Sequence, residues 1–419
     1  MMLNNIDYKE YKKKDDIHGT VLYPGVMVAP VQKRILENII LKNKIKSVFE
    51  PFHGSGTALY EAFEVSPRMN LIGCDINPLA NLITRVKLQG VSTYIQRDIE
   101  RIEEYIIKPS FIYEYSFPNM EKWLNYDVID SLALLRTAIM NIGSKKNRLY
   151  FWYILSDVIR FNSNTRSSTY KLHIKDDIQI KNMENTVIDT FLTNAKKYVE
   201  KFKHKSKYFI LYKNDIINIT KQYKRNAFDI SITSPPYGDN KTTIPYGEFS
   251  MLALYTIPYY DLELEGWELD NYSMIDKRSM GGSDKEYMLN DYEKSLIKYY
   301  LYRISPSKRQ KIIRYFKDYF CFLDELCRVT KKYIVLTLGN RTVDRIKINL
   351  VLITKKYLEK NNYIKIKSVR RLIPRKRTPK LTSNVDQKPV SSMNYEYILV
   401  YKKDTLHYCK KKGSSGVKR

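Results

Sequence analysis

The sequence has few cysteines, and they are not arranged to bind a metal. The four cysteines, Cys74, Cys321, Cys327 and Cys409, form no CxxC pair and have no histidine at the spacing of a zinc site. Unpatterned cysteines in a long chain are typical of reduced thiols. We therefore expect an intracellular protein without a metal site.

Long apolar stretches are also missing. No run approaches the roughly 18 apolar residues that a membrane-spanning helix needs, and the N-terminal segment MMLNNIDYKEYKKKDD lacks the apolar core of a signal peptide. With 15 glycines and 15 prolines in 419 residues the chain is not of low complexity, and a hydrophobic fraction of 43% excludes wholesale disorder. These features predict a soluble, cytoplasmic globular protein with no membrane partner.

Acidic residues are scarce relative to basic ones. The chain has 72 Lys and Arg against 45 Asp and Glu, a formal net charge of +27. A genome that favours lysine codons accounts for part of this excess. The remainder favours an anionic partner, which is nucleic acid, an anionic membrane or an acidic protein.

Hydrophobic periodicity predicts an α/β protein. An amphipathic helix over 30–46 precedes a short strand at 47–49, a glycine turn at 54–56, a helix through Leu59 and Phe63, a strand at 71–75 and a helix from Pro78. This order is the first half of a doubly wound parallel sheet. Further strands are predicted at 207–215, 227–237, 333–340 and 395–403, and a helix at about 307–328.

Two interruptions define the predicted domain organisation. Residues 93–206 are helical in periodicity and form one insertion, and residues 240–305 are Tyr-rich and irregular and form another. The sheet domain is therefore discontinuous, over 19–92 and 207–403, and a basic tail follows at 404–419. Either insertion is a candidate region for recognising a target.

The segment Thr233–Tyr237, TSPPY, directly follows an apolar strand, where ligand sites of open α/β sheets lie. Its composition suits an exocyclic amino group on a flat ring. The Ser234 hydroxyl and the Pro235 carbonyl can accept the amino hydrogens, and the prolines fix the backbone without a competing N–H. Tyr237 offers a face for stacking. The alternative is an ordinary turn after a strand.

A second motif carries two glycines, Gly54 and Gly56, between a strand and a helix. Glycines there let a ligand approach the backbone at a helix N-terminus. The motif lacks the GxGxxG pattern, so a dinucleotide fingerprint fits poorly. Asp75, about 20 residues on, is where a carboxylate binds ribose, and Asp215 at the end of the third strand is placed to contact an adenine amino group. Either aspartate could instead cap a helix.

Taken together, these motifs resemble those of the S-adenosylmethionine-dependent DNA amino-methyltransferases. EPFHGSGT, CDINPLA, KND and TSPPY resemble motifs I to IV in that order, and GTVLYPGVMVAP at 19–30 resembles motif X. The helix before YIVLTLGN and that strand resemble motifs V and VI, while RLIPRKRTPK and YEYILVYKK resemble the closing loop and last strand of the sheet. The resemblance covers about 19–90 and 207–403, without the Tyr-rich stretch.

The resemblance implies a Rossmann-like methyltransferase sheet with S-adenosylmethionine as cofactor. It assigns to the cofactor pocket Tyr23, Glu50, Pro51, Phe52, Gly54, Ser55, Gly56, Thr57, Asp75, Ile76, Asp215, Ile216 and Ser234. It assigns to the flipped base the catalytic residues Ser234, Pro235, Pro236 and Tyr237. Glu50 stands where the family more often has Asp, and His53 occupies a variable position for which we expect no catalytic role.

The implied function is a site-specific DNA methyltransferase of a restriction–modification or phage-defence system, with double-stranded DNA and a cognate restriction endonuclease as partners. An SPPY motif in this family most often goes with cytosine N4, which we favour, and adenine N6 is the alternative. The chain lacks a Pro-Cys nucleophile motif, and this absence argues against cytosine C5 chemistry. Methylation of RNA or of protein glutamine is less favoured, because family members with those activities usually carry NPPY. A non-catalytic DNA-binding subunit is less favoured because such subunits typically lose motif I or IV.

A target base must leave the duplex to reach such a pocket, and phosphate contacts help to offset that cost. We expect DNA contacts from the basic loop at 370–380, from the polar loop at 161–171 and from the segment at 238–250. The candidate side chains are Arg370, Arg371, Arg375, Lys376, Arg377 and Lys380, then Arg166 and Lys171, then Lys241. The alternative for each segment is a merely solvated loop.

Overall fold

The computed structural model describes residues 8, 10–238, 244–265, 267, 271–282, 286–373, 381–385, 388–391 and 393–404. Its strands are β1 Ser47–Glu50, β2 Asn70–Cys74, β3 Phe209–Tyr212, β4 Phe228–Thr233, β5 Thr330–Gly339, β6 Arg341–Val343, β7 Ile346–Ile348, β8 Tyr363–Leu372, β9 Leu381–Val385, β10 Lys388–Ser391 and β11 Tyr395–Lys403. The pairs β6–β7 and β9–β10 are small antiparallel ribbons.

The other strands form a seven-stranded sheet in the order β3-β2-β1-β4-β5-β11-β8. The first five pair in parallel, and β11 runs antiparallel to both of its neighbours. The chain reverses its direction across the sheet between β1 and β4, which is the switch point where open α/β sheets bind ligands. The predicted Rossmann-like, methyltransferase-type sheet is confirmed.

Helices surround this sheet. The α-helices are α1 Ala29–Ile40, α2 Thr57–Val65, α3 Pro78–Gln89, α4 Ile95–Ile107, α5 Met120–Trp123, α6 Tyr126–Met140, α7 Lys145–Phe161, α8 Asp177–Lys181, α9 Val187–Tyr198, α10 Ile216–Lys221, α11 Tyr246–Thr256, α12 Tyr259–Leu262, α13 Met274–Arg278, α14 Asp291–Arg303, α15 Pro306–Val329 and α16 Leu350–Lys360. Within the described residues, no helix has both the length and the apolarity needed to cross a membrane.

Apolar side chains that alternate in direction along the strands bury both faces of the sheet. In β5, Val335 belongs to the core that includes α1 to α3, whereas its neighbour Leu336 belongs to the core that includes α15 and α16. Val400 and Leu399 of β11 divide in the same way. Successive side chains of a strand point to opposite faces, so a sheet covered on both sides reads as continuous apolar runs.

The first insertion is helical as predicted, and it shares the core of the sheet. Helix α7 packs against α3 and α11, and its Tyr150 and Trp152 are completely buried. Trp152 Nε1 donates to Asp261 Oδ2 over 2.7 Å, and the Arg148 guanidinium pairs with the same carboxylate. Because Asp261 lies in α12, this buried cluster joins the helical insertion to the second one.

The second insertion is not irregular in its described part, and that prediction is wrong. It contains α11 to α14. Helix α11 buries Phe249, Leu252, Ala253 and Leu254 on several sides. A helix that is apolar all round lacks the amphipathic period by which sequence analysis detects a helix. Most of the predicted basic tail lies outside the described residues.

Candidate active site

A pocket opens at the carboxyl ends of β1, β2 and β4, beside the switch point. Its described lining brings together every residue predicted for the cofactor except Glu50 and Gly56. The predicted residues that line it are Tyr23, Pro51, Phe52, Gly54, Ser55, Thr57, Asp75, Ile76, Asp215, Ile216 and Ser234. Segments that are distant in the sequence therefore meet at one cavity.

The glycine loop, residues 51–56, connects β1 to α2 and forms one wall. Gly54 and Gly56 have φ values of 50° and 70°, a conformation that favours glycine. A Cβ at Gly56 would lie 2.5 Å from Cγ2 of Thr84 in α3, so the loop also needs the missing side chain to approach that helix. Gly56 does not line the pocket itself, but its conformation and its packing on α3 determine the shape of the loop.

Two aspartates, Asp75 and Asp215, also line the pocket. Asp75 accepts hydrogen bonds from the backbone N–H groups of Gly54 and Asn77, each over 2.9 Å. Asp215 caps α10 by accepting from Ile217 N over 2.8 Å, so the helix-cap role considered for it is present. A carboxylate has about four acceptor sites, which leaves both aspartates able to accept further bonds from a ligand.

Glu50 lies behind the loop. Its side chain is fully buried, Oε2 accepts from Leu59 N over 3.2 Å, and Oε1 has no hydrogen-bond partner among the described residues. Burial holds the pKa of this carboxyl well above its usual range, although the Leu59 amide opposes the shift.

His53 also lines the pocket, but its ring is bonded to the protein. Nε2 lies 3.3 Å from Asn81 Oδ1 and Nδ1 lies 3.1 Å from Thr84 Oγ1. Burial lowers the pKa of this imidazole. Its contacts support the glycine loop from α3, and the absence of a catalytic role stays a prediction.

The SPPY loop, residues 234–237, lies across the pocket from the glycine loop. Ser234 and Pro236 line the pocket, whereas Pro235 and Tyr237 do not. Ser234 Oγ is 2.9 Å from Tyr237 Oη, and Tyr315 of α15 donates its hydroxyl to the Pro236 carbonyl over 2.7 Å. These bonds fix the direction of the Ser234 side chain and of one loop carbonyl.

Tyr237 is held in a polar setting at the end of β5. Burial, and then the nearby Glu396 carboxyl, raises its pKa well above the ordinary value, so the phenol stays protonated. A Cβ on Gly339 would lie 2.8 Å from Tyr237 Cδ2, so that glycine makes room for the ring. Sequence reasoning assigned no role to Glu396 or Gly339, although both lie in segments, YEYILVYKK and YIVLTLGN, that resemble elements of the family.

The prediction that Arg371 contacts DNA from a loop conflicts with its position. Arg371 lies in β8, is 4% exposed, and places Nη1 2.9 Å from Glu396 Oε2. The two residues are paired across β8 and β11. A buried ion pair of this kind orients Glu396 toward Tyr237 and leaves no free guanidinium for phosphate.

The other predicted DNA contacts fall into two groups. Arg166, Lys171 and Arg370 are exposed, with the Arg370 guanidinium 4.5 Å above the ring of Tyr395. Lys241, Arg375, Lys376, Arg377 and Lys380 lie outside the described residues.

The polar loop that carries Arg166 and Lys171 reaches the pocket side of the molecule. Leu172 N donates to Glu248 Oε1 of α11 over 2.8 Å, and the ring of Tyr170 packs on its neighbour Phe249. Tyr246, at the start of the same helix, lines the pocket. The helical insertion thus contributes a basic loop close to the candidate site.

Sequence reasoning also missed Asn77 as a linking residue. Its Nδ2 donates to Tyr23 Oη over 3.2 Å and to Ser250 Oγ over 2.8 Å. It thereby connects the N-terminal segment, α3 and α11 around one side of the pocket. A capping Asn before Pro78 was the available signal, and it indicates only a helix start.

Fold and site together define a Rossmann-like α/β protein with one ligand pocket that contains both a glycine loop and an SPPY loop. No protein-family model matches the chain. The chain is 28% identical over 401 residues to the Type II methyltransferase M.MvaI of Kocuria varians, and the match covers 88% of this chain and 87% of that relative. The similarity therefore extends over most of both chains.

Proposed function

We propose that the protein is an S-adenosylmethionine-dependent DNA methyltransferase that modifies the exocyclic amine of a flipped base. The observation that carries this proposal is that Gly54, Asp75 and Ser234, from three separate motifs, line one pocket at the switch point. The similarity to a type II methyltransferase over most of both chains supports it, and supports a role beside a cognate restriction endonuclease.

The residues present fit this cofactor. Ile76, Ile216 and Phe322 offer apolar surface for a purine, and Asp75 offers acceptors for ribose hydroxyls. Among the described lining residues, three carboxylates, Asp75, Asp215 and Asp318, accompany a single guanidinium, so the pocket favours a cationic ligand. When bound there, S-adenosylmethionine supplies an activated methyl group on a sulfonium.

The protein's part in the reaction is orientation and hydrogen-bond acceptance. Ser234 Oγ and the Pro235 carbonyl would hold the amino hydrogens of the base, which favours a pyramidal nitrogen with an available lone pair. Tyr237 fixes Ser234, and Tyr315 fixes the adjoining Pro236 carbonyl. Acceptors preorganised in this way act on the developing positive charge without reorganisation during the reaction.

Cytosine N4 is the base we propose, with adenine N6 as the alternative. The support is the neutral serine that opens the SPPY loop, as in relatives of the resembling family that modify cytosine. Serine is a weaker acceptor than a carboxylate, so its chemistry permits either amine.

Duplex DNA would lie across a groove between α14 and α15. Tyr315, which bonds Pro236, shares α15 with Arg309 and Lys317, but at 3.6 residues per turn it lies on a different face of the helix from these two groove residues. The groove is lined by five basic residues and one acidic residue, Lys294, Lys298, Arg303, Arg309, Lys317 and Asp291. This charge suits phosphates.

Aromatic and apolar side chains complete the groove. Tyr302 and Met288 are 85% and 84% exposed, and Tyr299 is also exposed. Exposed aromatics between basic residues are typical of surfaces that bind nucleic acid, because bases and sugars pack on the rings while phosphates meet the cations. The groove supplements the exposed candidates Arg166, Lys171 and Arg370, with which it would share the duplex.

The test is methyl transfer from labelled S-adenosylmethionine to unmodified plasmid DNA, followed by digestion to nucleosides and mass detection. We expect N4-methylcytosine. N6-methyladenine would keep the enzyme class and overturn the base. Label on RNA or protein alone, or no label despite cofactor binding, would overturn the proposed DNA methyltransferase.

A further inference from the structure

Lys87 is an unusual residue to find in the interior. Its side chain is 2% exposed, in the middle of the core formed by α2, α3 and the N-terminal segment. A buried lysine is rare unless it is paired, because its ammonium loses its hydration. Here Nζ donates to the Ser55 carbonyl over 2.8 Å and lies 3.4 Å from His18 Nδ1.

Lys87 belongs to a polar stripe on α3 that faces the glycine loop. Asn81, Thr84 and Lys87 are three residues apart, which places them on one helix face. Thr84 Oγ1 donates to the Gly54 carbonyl over 3.0 Å, so α3 holds two consecutive carbonyls of the loop. In a trans peptide the N–H points opposite to the C=O. The hold on Gly54 therefore turns the Ser55 N–H away from α3.

The stripe continues into the N-terminal segment. His18 Nε2 is 2.8 Å from Glu61 Oε1 in α2, and both side chains are buried. One arrangement satisfies all these groups. Lys87 donates to Nδ1 of a neutral imidazole, whose Nε2–H donates to Glu61. Burial lowers the pKa of His18, which favours that neutral ring.

We propose that Lys87 is a positioning residue of the cofactor pocket. By holding the Ser55 carbonyl it fixes the glycine loop in its binding shape. Through His18 and Glu61 it also ties the loop to the segment that leads to Tyr23, another wall of the pocket. The inference rests on the proposed cofactor, and none of its residues contacts the base.

The charge state of Lys87 gives the proposal a signature in pH. Burial lowers its pKa to about 7, and burial raises that of Glu61 to about 8. Below about pH 7 the ammonium makes a charge-assisted bond to Ser55, which is stronger than the bond from a neutral amine. The charged and titratable groups around Lys87 are Lys13 and Asp16 of the N-terminal segment, His18, Glu50 of β1 and Glu61 of α2.

The experiment compares wild type with Lys87→Met, which removes the donor and keeps an unbranched apolar side chain that is one atom shorter. Calorimetry measures the Kd of S-adenosylmethionine between pH 6 and pH 9, and steady-state assays measure kcat at saturating cofactor. We expect the variant to bind about tenfold more weakly at pH 6, with kcat changed less than threefold, and we expect this ratio of Kd values to shrink toward pH 9.

Two controls separate the possible causes. Thr84→Val removes the neutral donor to Gly54 and should raise Kd by a factor that does not change with pH. If Lys87→Met does not fold, Lys87→Leu, which also lacks a donor, takes its place in the same comparison. A folded Lys87 variant whose Kd equals that of wild type across the pH range would overturn the inference. Failure of wild type itself to bind S-adenosylmethionine would overturn the proposed function instead.

Discussion

Tyr315 of α15 donates its hydroxyl to the carbonyl of Pro236 over 2.7 Å. The contact joins residues 79 positions apart and fixes the SPPY loop to the helix that also carries Arg309 and Lys317. Helix α15 therefore contacts the loop that would hold the base with one face and presents basic residues of the groove on another.

We expect Tyr315→Phe to lower kcat about tenfold and to leave the Kd of S-adenosylmethionine nearly unchanged. The reason is that the variant loses one hydrogen bond, of about 1 kcal/mol, that orients the loop. The measurement is kcat at saturating DNA and cofactor.

Tyr319→Phe is the matched control for that variant. Tyr319 lies one turn further along α15, and its hydroxyl bonds Thr354 rather than the SPPY loop. It should cost stability without an effect on kcat. Equal kcat losses in the two variants would attribute the effect to α15 in general and contradict the role of the Pro236 contact.

Gly56→Ala should abolish cofactor binding or weaken it strongly. The new Cβ meets Thr84 and forces a positive φ on a residue with a side chain, a combination that costs about 1–3 kcal/mol in strain. Thermal unfolding measures the loss of stability, and calorimetry with S-adenosylmethionine measures the loss of cofactor affinity. Gly143→Ala is the control, because a Cβ there meets nothing within 4 Å. Normal cofactor affinity in Gly56→Ala would contradict the close packing of the loop on α3.

Replacing Lys294 and Lys298 with Gln should weaken DNA binding and flatten its salt dependence. Each lost phosphate contact reduces the slope of log K against log salt by about 1. Fluorescence anisotropy with duplex DNA over a salt series provides the slope. The control replaces Lys42 and Lys44, which are exposed and lie between α1 and the amino end of β1, whereas the pocket is at the carboxyl end of that strand. Equal slope changes in both double variants would indicate only a loss of net charge.

Arg371→Met should destabilise the protein and lower activity, whereas Arg370→Met should affect DNA affinity alone. Removing Arg371 leaves the partly exposed Glu396 carboxyl without its ion-pair partner, at a cost of about 1–3 kcal/mol. The Arg371 side chain is 5% exposed and pairs with Glu396, but Arg370 is exposed. Chemical denaturation measures the free energy of unfolding, which should fall for Arg371→Met and not for Arg370→Met. An unchanged unfolding free energy for Arg371→Met would contradict the structural role assigned to this pair.

The sheet was predictable because its central strands are buried on both faces. Apolar runs such as those of β4 and β5 stand out in any sequence, and the motifs sit where these strands end. The contacts that complete the site were not predictable. The Tyr315–Pro236 bond depends on how α15 packs, and the Arg371–Glu396 pair depends on the antiparallel register of β8 and β11.

Burial also concealed other features. Helix α11 was missed because it has buried residues on several sides and therefore lacks an amphipathic pattern. Lys87 was missed because the lysine-rich composition gave no reason to single it out from the other 71 Lys and Arg residues. Its role became visible only when α3 placed it beneath the glycine loop.

The central claim is that one pocket holds the methyl donor while Ser234 orients the base. The measurement that tests it most directly is Ser234→Ala, with kcat for DNA methylation and the Kd of S-adenosylmethionine determined on the same preparation. We predict a loss of about 10²–10³ in kcat, as for removal of one preorganised hydrogen-bonding group at a reacting centre, with a much smaller change in Kd. Full activity in the folded variant, or a loss of cofactor affinity as large as the loss of kcat, would contradict the account.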